Sequence, residues 1–364
     1  MTLSLSRAWW MIGAMLLVLG LGSTAVAGPL KLTSPTSRAI YQRSPDGAGV
    51  IALAGVWGGG PAALRARVVP AAPGQGVEQP WAELGEVHGR FEVTLPVSAG
   101  GWYGVEVEVV PPKGAKVVMH VVPVGLGEVF VIGGQSNAAN TGQPPQAPKD
   151  DRVSTLGPRG WKLARDPQPL ATWDGGSPWP HLGDLLVERL GVPVGFVALG
   201  WGGSSVGRWK PTGKIYGRLG KALAQLGPNG ARALLWHQGE ADTMEFTARE
   251  VYVERLNAVI AASRKDAGWS IPWIIAGVSY PGADFADAPR LAHGKVVRLA
   301  QDDVIAADPL ALAGPTTDDM IGPRWRHDGT HFNADGLNEH GRRWFEVVMR
   351  ELFGGASAPS GTPR

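Results

Sequence analysis

The stretch Val129-Phe130-Val131-Ile132-Gly133-Gly134-Gln135-Ser136-Asn137 joins a predicted strand to a polar turn. Four apolar, mostly β-branched residues at 129–132 predict a buried strand. The two glycines that follow allow a sharp turn and the close approach of another molecule. Because open α/β sheets bind ligands outside the carboxyl ends of their strands, Ser136 stands where such a sheet presents a functional group. An ordinary strand-to-loop junction with a solvent-facing serine is the alternative.

The composition predicts a globular protein of about two domains. The chain has 364 residues, of which 44% are hydrophobic and 18% charged, so packed cores are expected and disorder is not. The formal net charge is only +2 and Lys and Arg are not clustered, which argues against nucleic acid as a partner. The absence of cysteine excludes disulfides, a thiolate nucleophile and Cys-based metal sites.

Residues 1–27 have the features of a cleavable signal peptide. Arg7 supplies the positive charge, residues 8–21 form the apolar region, and Ala25-Val26-Ala27 is a small-residue cleavage site. A membrane anchor is the alternative, but the apolar run is short and is followed by Gly-Ser-Thr. We therefore expect bacterial export to the periplasm or medium, with no membrane anchor after cleavage. The oligomeric state stays open.

Residues 28–125 show the period-two pattern of short β-strands. Apolar and polar residues alternate at 50–57, 63–69, 87–95, 103–109 and 116–124, with turn residues between these runs. Five or more short strands separated by turns predict a small antiparallel β-sandwich domain. No set of residues here indicates chemistry. A structural module that packs on the next domain is favoured over a surface for carbohydrate or partner contact.

Residues 126–353 alternate apolar runs with helical patterns. Strands are predicted at 129–132, 194–199, 233–236 and 273–278, with a weaker candidate at 304–306. A last helix is predicted from about residue 334 to 352, with Asn333 as its N-cap. This alternation indicates an α/β fold with a parallel sheet covered on both faces. The Pro-rich, Trp-bearing segment 143–180 is typical of a functional wall or lid. Residues 354–364 are predicted to be a disordered tail.

Four polar clusters follow the predicted strands or precede the last helix. They are Gly134-Gln135-Ser136-Asn137, Gly200-Trp201-Gly202-Gly203-Ser204-Ser205, Trp236-His237-Gln238-Gly239-Glu240-Ala241-Asp242 and His327-Asp328-Gly329-Thr330-His331-Phe332-Asn333. The first three are expected along one edge of a parallel sheet, and the fourth can reach the same edge.

These clusters contain the groups that acyl transfer requires. Ser136 can be the nucleophile, His331 its base and Asp328 the group that orients the imidazole. The backbone N–H groups of Ser136 and Gly203, with the side-chain amide of Gln238, can form an oxyanion hole. Asn137 is expected to fix the loop rather than to take part in the chemistry.

Each assignment also has a purely structural interpretation. Asp328 and His331 can cap and pack a helix start, Gln238 and Glu240 can cap the helix after them, and Gly202-Gly203 can be a plain turn. His237, Glu240 and Asp242 are close in sequence, but no second histidine has the spacing of a zinc motif. We therefore expect no metal and no cofactor.

Together, the identity, order and spacing of the four clusters resemble the SGNH/GDSL hydrolase superfamily. The resemblance is to the sialate O-acetylesterase-like branch, which is similar to family 6 carbohydrate esterases, and it covers about residues 126 to 352. It implies a flavodoxin-like three-layer α/β/α sandwich, often preceded by a β-rich domain. It also implies a Ser136–Asp328–His331 triad with Gly203 and Gln238 at the oxyanion. Ala138 and Ala241 depart from the branch, which has Met and Ser there, and this concerns the pocket wall.

Tryptophans flank the site motifs, and aromatic faces suit the apolar faces of sugar rings. Trp201, Trp209, Trp325 and Glu240 are therefore the expected substrate contacts, whereas Trp236 is favoured as a core residue. The expected function is a serine esterase that removes O-acetyl groups from a carbohydrate through an acyl-enzyme. The alternatives are an O-acyltransferase that acetylates an extracellular polysaccharide and a non-catalytic glycan-binding protein.

Overall fold

The structure is a computed structural model that describes residues 30–354. The predicted signal peptide at 1–27 lies outside the described residues, as does the predicted tail except for Gly354. Within the described range, no helix combines the length and the apolar character needed to cross a membrane.

The described chain begins with strands and then alternates strands with helices. In chain order the elements are β1 (Leu30–Ser34), β2 (Ile40–Gln42), β3 (Gly49–Pro70), β4 (Ala82–Val97), β5 (Gly101–Val110), β6 (Val117–Gly134), β7 (Val153–Gly157), β8 (Gly160–Leu163), α1 (Trp179–Leu190), β9 (Val194–Ala198), α2 (Lys214–Leu226), β10 (Ala233–His237), α3 (Glu240–Met244), α4 (Arg249–Ala267), β11 (Trp273–Ala276), α5 (Ala288–Ala307), β12 (Ala311–Ala313) and α6 (Ala334–Phe353). Short 3-10 helices lie at Ser136–Ala138, Val206–Trp209 and Ala283–Phe285.

The N-terminal strands form one connected sheet, which is antiparallel except that β2 pairs in parallel with residues 125–127 of β6. Strand β3 pairs with β1 and β4 along its first half and with β4 and β5 along its second half. The predicted separate strands at 50–57 and 63–69 are both parts of β3, because the run of glycines between them is absorbed by a register shift between Trp57 and Ala62. Such an irregularity bends a strand without ending it. The expected sandwich of short strands is thus a sheet of fewer, longer strands.

Strand β6 continues from this sheet into a second, parallel sheet. Its first part pairs antiparallel with β5, and from Glu128 onward it pairs in parallel with β9 and β10. The domain boundary predicted between residues 125 and 126 therefore falls inside an unbroken strand and not in a linker.

The second sheet is parallel and has helices on both faces. Its strand order is β7-β9-β6-β10-β11-β12, and only β8, at the edge next to β7, runs antiparallel. Alternate residues of β6 face opposite layers. Val129 and Val131 pack with helices α2, α4 and α5, whereas Phe130 and Ile132 pack with α1 and α6. The predicted α/β fold with a parallel sheet is confirmed.

Of two predictions near the C-terminus, one is wrong and the other is confirmed. The weak strand candidate at 304–306 is wrong, because these residues end helix α5, whose Val297, Ala300 and Val304 face the sheet at helical spacing. The edge strand is β12 instead. The predicted N-cap of α6 is confirmed, since the side chain of Asn333 accepts a hydrogen bond of 3.0 Å from the N–H of Gly336.

A buried carboxylate lies where β6 passes from one sheet to the other. Glu128 has no exposed surface. It accepts hydrogen bonds from Nε of Arg43 at 2.8 Å, Nε of Arg232 at 2.7 Å and the side-chain amide of Gln42 at 2.9 Å. Gln42 ends β2, Arg43 follows it, and Arg232 precedes β10. The buried charge on β6 is therefore bonded to two other parts of the chain.

We expect Glu128→Ala to lower the free energy of unfolding by about 3–5 kcal/mol, because it leaves two largely buried guanidinium groups without a counter-charge. Urea unfolding of the two proteins measures this difference. Glu346→Ala is the control, since Glu346 pairs with Arg342 on the exposed side of α6 and such a pair contributes less than about 1 kcal/mol. Equal losses in the two variants would contradict the assignment.

Candidate active site

The predicted nucleophile lies in a tight turn at the end of β6. Ser136 begins the 3-10 helix Ser136–Ala138 and is 8% exposed. Gly134 has φ of 127°, and a Cβ there would lie 2.1 Å from the carbonyl oxygen of His237. Only glycine therefore allows β6 to turn this close to β10. The turn is held by the N–H of Gln135, which donates to the carbonyl of His237 at 2.9 Å.

The loop after β9 packs against this turn. The N–H of Trp201 donates to the carbonyl of Gly134 at 2.8 Å. Gly203, two residues later, is exposed. In the described part of the chain, the N–H groups of Ser136 and Gly203 donate to no other group. Neither N–H group is therefore engaged by an acceptor of the protein, and their role at an oxyanion stays a prediction.

The side-chain amide of Gln238 was predicted to face an oxyanion, but it is bonded to other residues of the protein. It is fully buried, and its amide nitrogen donates to Oδ2 of Asp242 at 2.5 Å and to the carbonyl of Ser204 at 3.1 Å. Its Oε1 accepts from the hydroxyl of Tyr252 at 3.0 Å. Because both amide hydrogens have protein acceptors, the side chain is not an oxyanion donor here. It instead fixes the loop that carries Gly203.

Glu240 also faces inward. It is 6% exposed, and its Oε1 accepts a 2.8 Å hydrogen bond from Nδ2 of Asn137, the residue after the predicted nucleophile. The predicted contact of Glu240 with substrate gains no support from this hydrogen bond and stays a prediction. The expectation that Asn137 fixes the loop is confirmed, because its side-chain amide is hydrogen-bonded to Glu240.

A buried histidine pair, which the sequence did not indicate, lies beside Glu240. Oε1 of Glu240 lies 3.5 Å from Nε2 of His237, whose Nδ1 lies 3.2 Å from Nε2 of His340. The indole N–H of Trp344 donates to that same His340 nitrogen at 2.9 Å, so the nitrogen is an acceptor and His237 donates to it. Burial lowers the pKa of His237 and lowers that of His340 well below its ordinary value, so both rings are neutral. Nε2 of His237 therefore carries no hydrogen, and it makes no hydrogen bond to Glu240. The hydrogen-bonded histidine pair joins β10 to α6.

The last loop holds Asp328 and His331 as a hydrogen-bonded pair. Oδ2 of Asp328 lies 2.7 Å from Nδ1 of His331, and Oδ1 accepts from the N–H groups of Thr330 at 2.9 Å and His331 at 2.6 Å. Partial burial acts to raise the pKa of Asp328, but the hydrogen bonds from His331 and Thr330 outweigh it and lower the pKa to about 2. The carboxylate is therefore ionised and orients the imidazole, whose Nε2 makes no hydrogen bond within residues 30–354.

Hydrogen bonds join the loop of Ser136 to the loop of His331. Thr141 donates from Oγ1 to the carbonyl of Ser136 at 2.7 Å, and its own carbonyl lies 3.1 Å from Nε2 of His327. The N–H of Gln143 donates to the carbonyl of Phe332 at 2.9 Å. Among the described residues, Ser136 Oγ and His331 are not hydrogen-bonded to each other. Such contacts often tighten only once substrate is bound.

The three tryptophans expected at the site differ in exposure. Trp209 is fully buried, donates from Nε1 to Oγ of Ser204 at 2.8 Å and packs edge-on against Trp236 at 5.0 Å, so its predicted contact with substrate is wrong. Trp236 is a core residue, as favoured. Trp201 is partly exposed, and the guanidinium of Arg218 covers its ring at 5.0 Å from the centroid.

Trp325 packs in a small cluster under the last loop. Its neighbours there are Met320, Phe332 and Leu337. It also lines a cavity of about 270 Å³ beside α1 and α6, and the lining of that cavity includes none of Ser136, Asp328 and His331. Its predicted contact with substrate gains no support from this position.

One group of three potential metal ligands occurs in the described range. It consists of His327, Asp328 and His331, whose ligand atoms lie within 4.8 Å of one another. Asp328 and His331 are hydrogen-bonded to each other, which is the arrangement of a general base and its orienting carboxylate.

Comparison with known proteins agrees with this architecture. Residues 126–350 match the family described as carbohydrate esterase, sialic acid-specific acetylesterase. A probable carbohydrate esterase from Arabidopsis thaliana is 24% identical over 217 residues, which are 52% of this chain and 82% of that protein.

Two solved structures share the fold. A carbohydrate acetylesterase from Xanthomonas citri matches with a TM-score of 0.59 and 20% identity over 90% of this chain and 75% of its own. A protein from Arabidopsis thaliana matches with a TM-score of 0.52 and 18% identity over 62% of this chain and 98% of its own. Because the family match spans more than half of the sequence, the chain belongs to the sialic acid-specific acetylesterase family of carbohydrate esterases and is a carboxylic ester hydrolase.

Proposed function

We propose that the protein is a serine esterase that removes O-acetyl groups from a carbohydrate through Ser136, His331 and Asp328. The observation that carries the proposal is the Asp328–His331 pair. Its ionised carboxylate fixes the imidazole on a loop that is hydrogen-bonded to the turn of Ser136. Family membership and the names of the relatives support an acetylated carbohydrate as substrate. Sialate is the particular sugar that the family's description suggests.

In the proposed mechanism His331 moves the proton twice. Its Nε2 takes the proton of Ser136 as Oγ attacks the acetyl carbonyl carbon, and it then returns the proton to the departing sugar oxygen. The acetyl group is left on Ser136. Water then loses a proton to His331 and attacks the acetyl-enzyme, and His331 gives that proton to Oγ of Ser136 as acetate leaves. An acceptor sugar hydroxyl in place of water would make the same site a transferase.

The oxyanion hole in this mechanism has two backbone donors. The N–H groups of Ser136 and Gly203 come from neighbouring loops at one sheet edge, and each donor of this kind typically contributes about 3–4 kcal/mol to lowering the barrier. Gln238 acts indirectly, because its bond to the carbonyl of Ser204 holds Gly203 in position.

Export is the proposed location. The N-terminal pattern at 1–27 supports it, and N-terminal sequencing of protein recovered from the periplasm or medium should begin near Gly28. A mature protein that retains Met1 would contradict it.

We expect Ser136→Ala to reduce acetate release from an acetylated glycan by at least about 10³-fold, because no other group replaces the nucleophile. Acetate is measured for wild type and variant, with Ser98→Ala as the control, since Ser98 is exposed in the N-terminal strand region. Normal turnover by Ser136→Ala would overturn the mechanism. Acetylated acceptor sugar among the products would indicate a transferase.

We expect Asp328→Asn to lower kcat by about 10³–10⁴-fold, because an amide no longer fixes the required imidazole tautomer. The folded-state pKa of Asp328 lies below its ordinary value of 3.8, so its contribution to stability is present above that value and is lost as pH falls toward 2. The difference in unfolding midpoint between wild type and Asp328→Asn should therefore shrink on acidification. A difference independent of pH would contradict the ionised pair.

Glu240→Ala should destabilise the protein by about 1–3 kcal/mol and lower kcat, because it leaves the amide of Asn137 buried without an acceptor. Glu240→Gln keeps an acceptor oxygen and should restore part of both. Urea unfolding and acetate release give the two readouts. Glu245→Ala, at an exposed position after α3, is the matched control. If Glu240→Ala behaves like this control, Glu240 does not position the nucleophile loop.

A further inference from the structure

Trp173 is the most exposed large apolar side chain in the part of the chain that the structure describes. It is 68% exposed and lies in the long segment between β8 and α1. Full burial of a large apolar side chain is favourable by about 1.5–3 kcal/mol, so the fold forgoes this gain here. The residue that follows it, Asp174, is also exposed. Much of the indole is therefore accessible to a ligand.

The backbone of Trp173 is held in a conformation that bulky residues rarely adopt. Its φ is 70°, in the left-handed region. The carbonyl of Trp173 accepts from Nδ2 of Asn140 at 3.2 Å, and the N–H of Asn140 donates to the carbonyl of Thr172 at 3.1 Å. Asn140 is itself buried and lies four residues after Ser136. Strained residues persist only where their surroundings fix them, and they occur most often at functional sites.

The same segment is bonded to the loop that carries Gly203. The N–H of Thr172 donates to the carbonyl of Gly200 at 3.0 Å, and Oγ1 of Thr172 accepts from the N–H of Gly202 at 2.8 Å. A Cβ on Gly202 would lie 2.1 Å from Nε1 of Trp173, so the indole rests against this glycine. Trp173 is thus held against the loop that carries Gly203 and, through Asn140, to the segment that follows Ser136.

We propose that Trp173 is the floor of a subsite for the sugar ring that carries the acetyl ester. The inference rests on the proposed esterase function and names a contact that recognises the alcohol half of the substrate. One face of a pyranose is lined by C–H groups, and an exposed indole face is complementary to it. Trp201 is covered by Arg218 and Trp209 is buried, so the aromatic contact expected of those two residues falls to Trp173.

The test compares two acetate esters that differ in the alcohol. One is a methyl pyranoside that carries a single O-acetyl group, and the other is ethyl acetate, whose alcohol has no ring to stack. Trp173→Ala should lower kcat/KM for the acetylated pyranoside at least 10-fold, mainly through KM, and change it less than 3-fold for ethyl acetate. Trp173→Phe should recover part of the loss.

Phe246→Ala is the matched control. Phe246 is also an exposed aromatic residue, at 50%, with a left-handed φ of 52°, but it lies between α3 and α4. It should leave the ratio of the two kcat/KM values unchanged. An equal loss on both esters in Trp173→Ala, or no loss on either, would overturn the subsite, and thermal unfolding of the variants identifies a fold defect. If Trp173→Ala does not fold, Trp173→Phe decides by the same ratio.

Failure of the proposed function gives a different result. If wild type hydrolyses neither ester, the esterase proposal falls, and the subsite is tested by binding alone. Saturation-transfer NMR with the deacetylated methyl pyranoside should then show ring-proton contacts in wild type that are lost in Trp173→Ala. Equal contacts in both proteins, or none in wild type, would overturn the subsite.

Discussion

The position of the site depends on β6, which is hydrogen-bonded into two sheets of different kinds. Its backbone first pairs antiparallel with β5 and then pairs in parallel with β9 and β10, so its buried polar groups are satisfied on both sides. At the change of partner Glu128 is buried with Arg43 and Arg232 around it. Because a shift of register by one residue would turn every side chain of β6 to the opposite layer, the end of the strand is fixed. Ser136 follows directly from that end.

Around the end of β6, most polar residues of the four sequence clusters are hydrogen-bonded to other residues of the protein. Gln238 and Asp242 join the loop of Ser204 to α3, and Glu240 holds Asn137. Each of these groups is buried, and a buried polar group is costly unless it is paired, so the paired arrangement is strongly preferred over alternatives. A site made in this way needs little rearrangement when charge develops on a substrate oxygen, which is the advantage of a preorganised oxyanion hole.

The sequence predicted those features that depend on period and order. Alternating strands and helices, the N-cap at Asn333 and the pairing of Asp328 with His331 all follow from local spacing. It did not predict which way Gln238 and Trp209 face, because motif position says nothing about which neighbours compete for an amide or enclose an indole. It also did not single out Trp173, whose left-handed backbone is held by hydrogen bonds to two loops that are distant from it in sequence.

The two kinds of loop at this sheet edge have different physical demands. Loops that present Ser136 and Gly203 must hold backbone atoms in place, and short turns after parallel strands do this with few degrees of freedom. Recognition of a sugar requires a larger surface, which a long segment supplies when its own backbone is tied down. The hydrogen bonds of Asn140 and Thr172 meet this requirement, because they join the segment of Trp173 to the segment after Ser136 and to the loop of Gly203. In the proposed esterase, substrate choice is therefore set by the long segment, while the chemistry stays with the short turns.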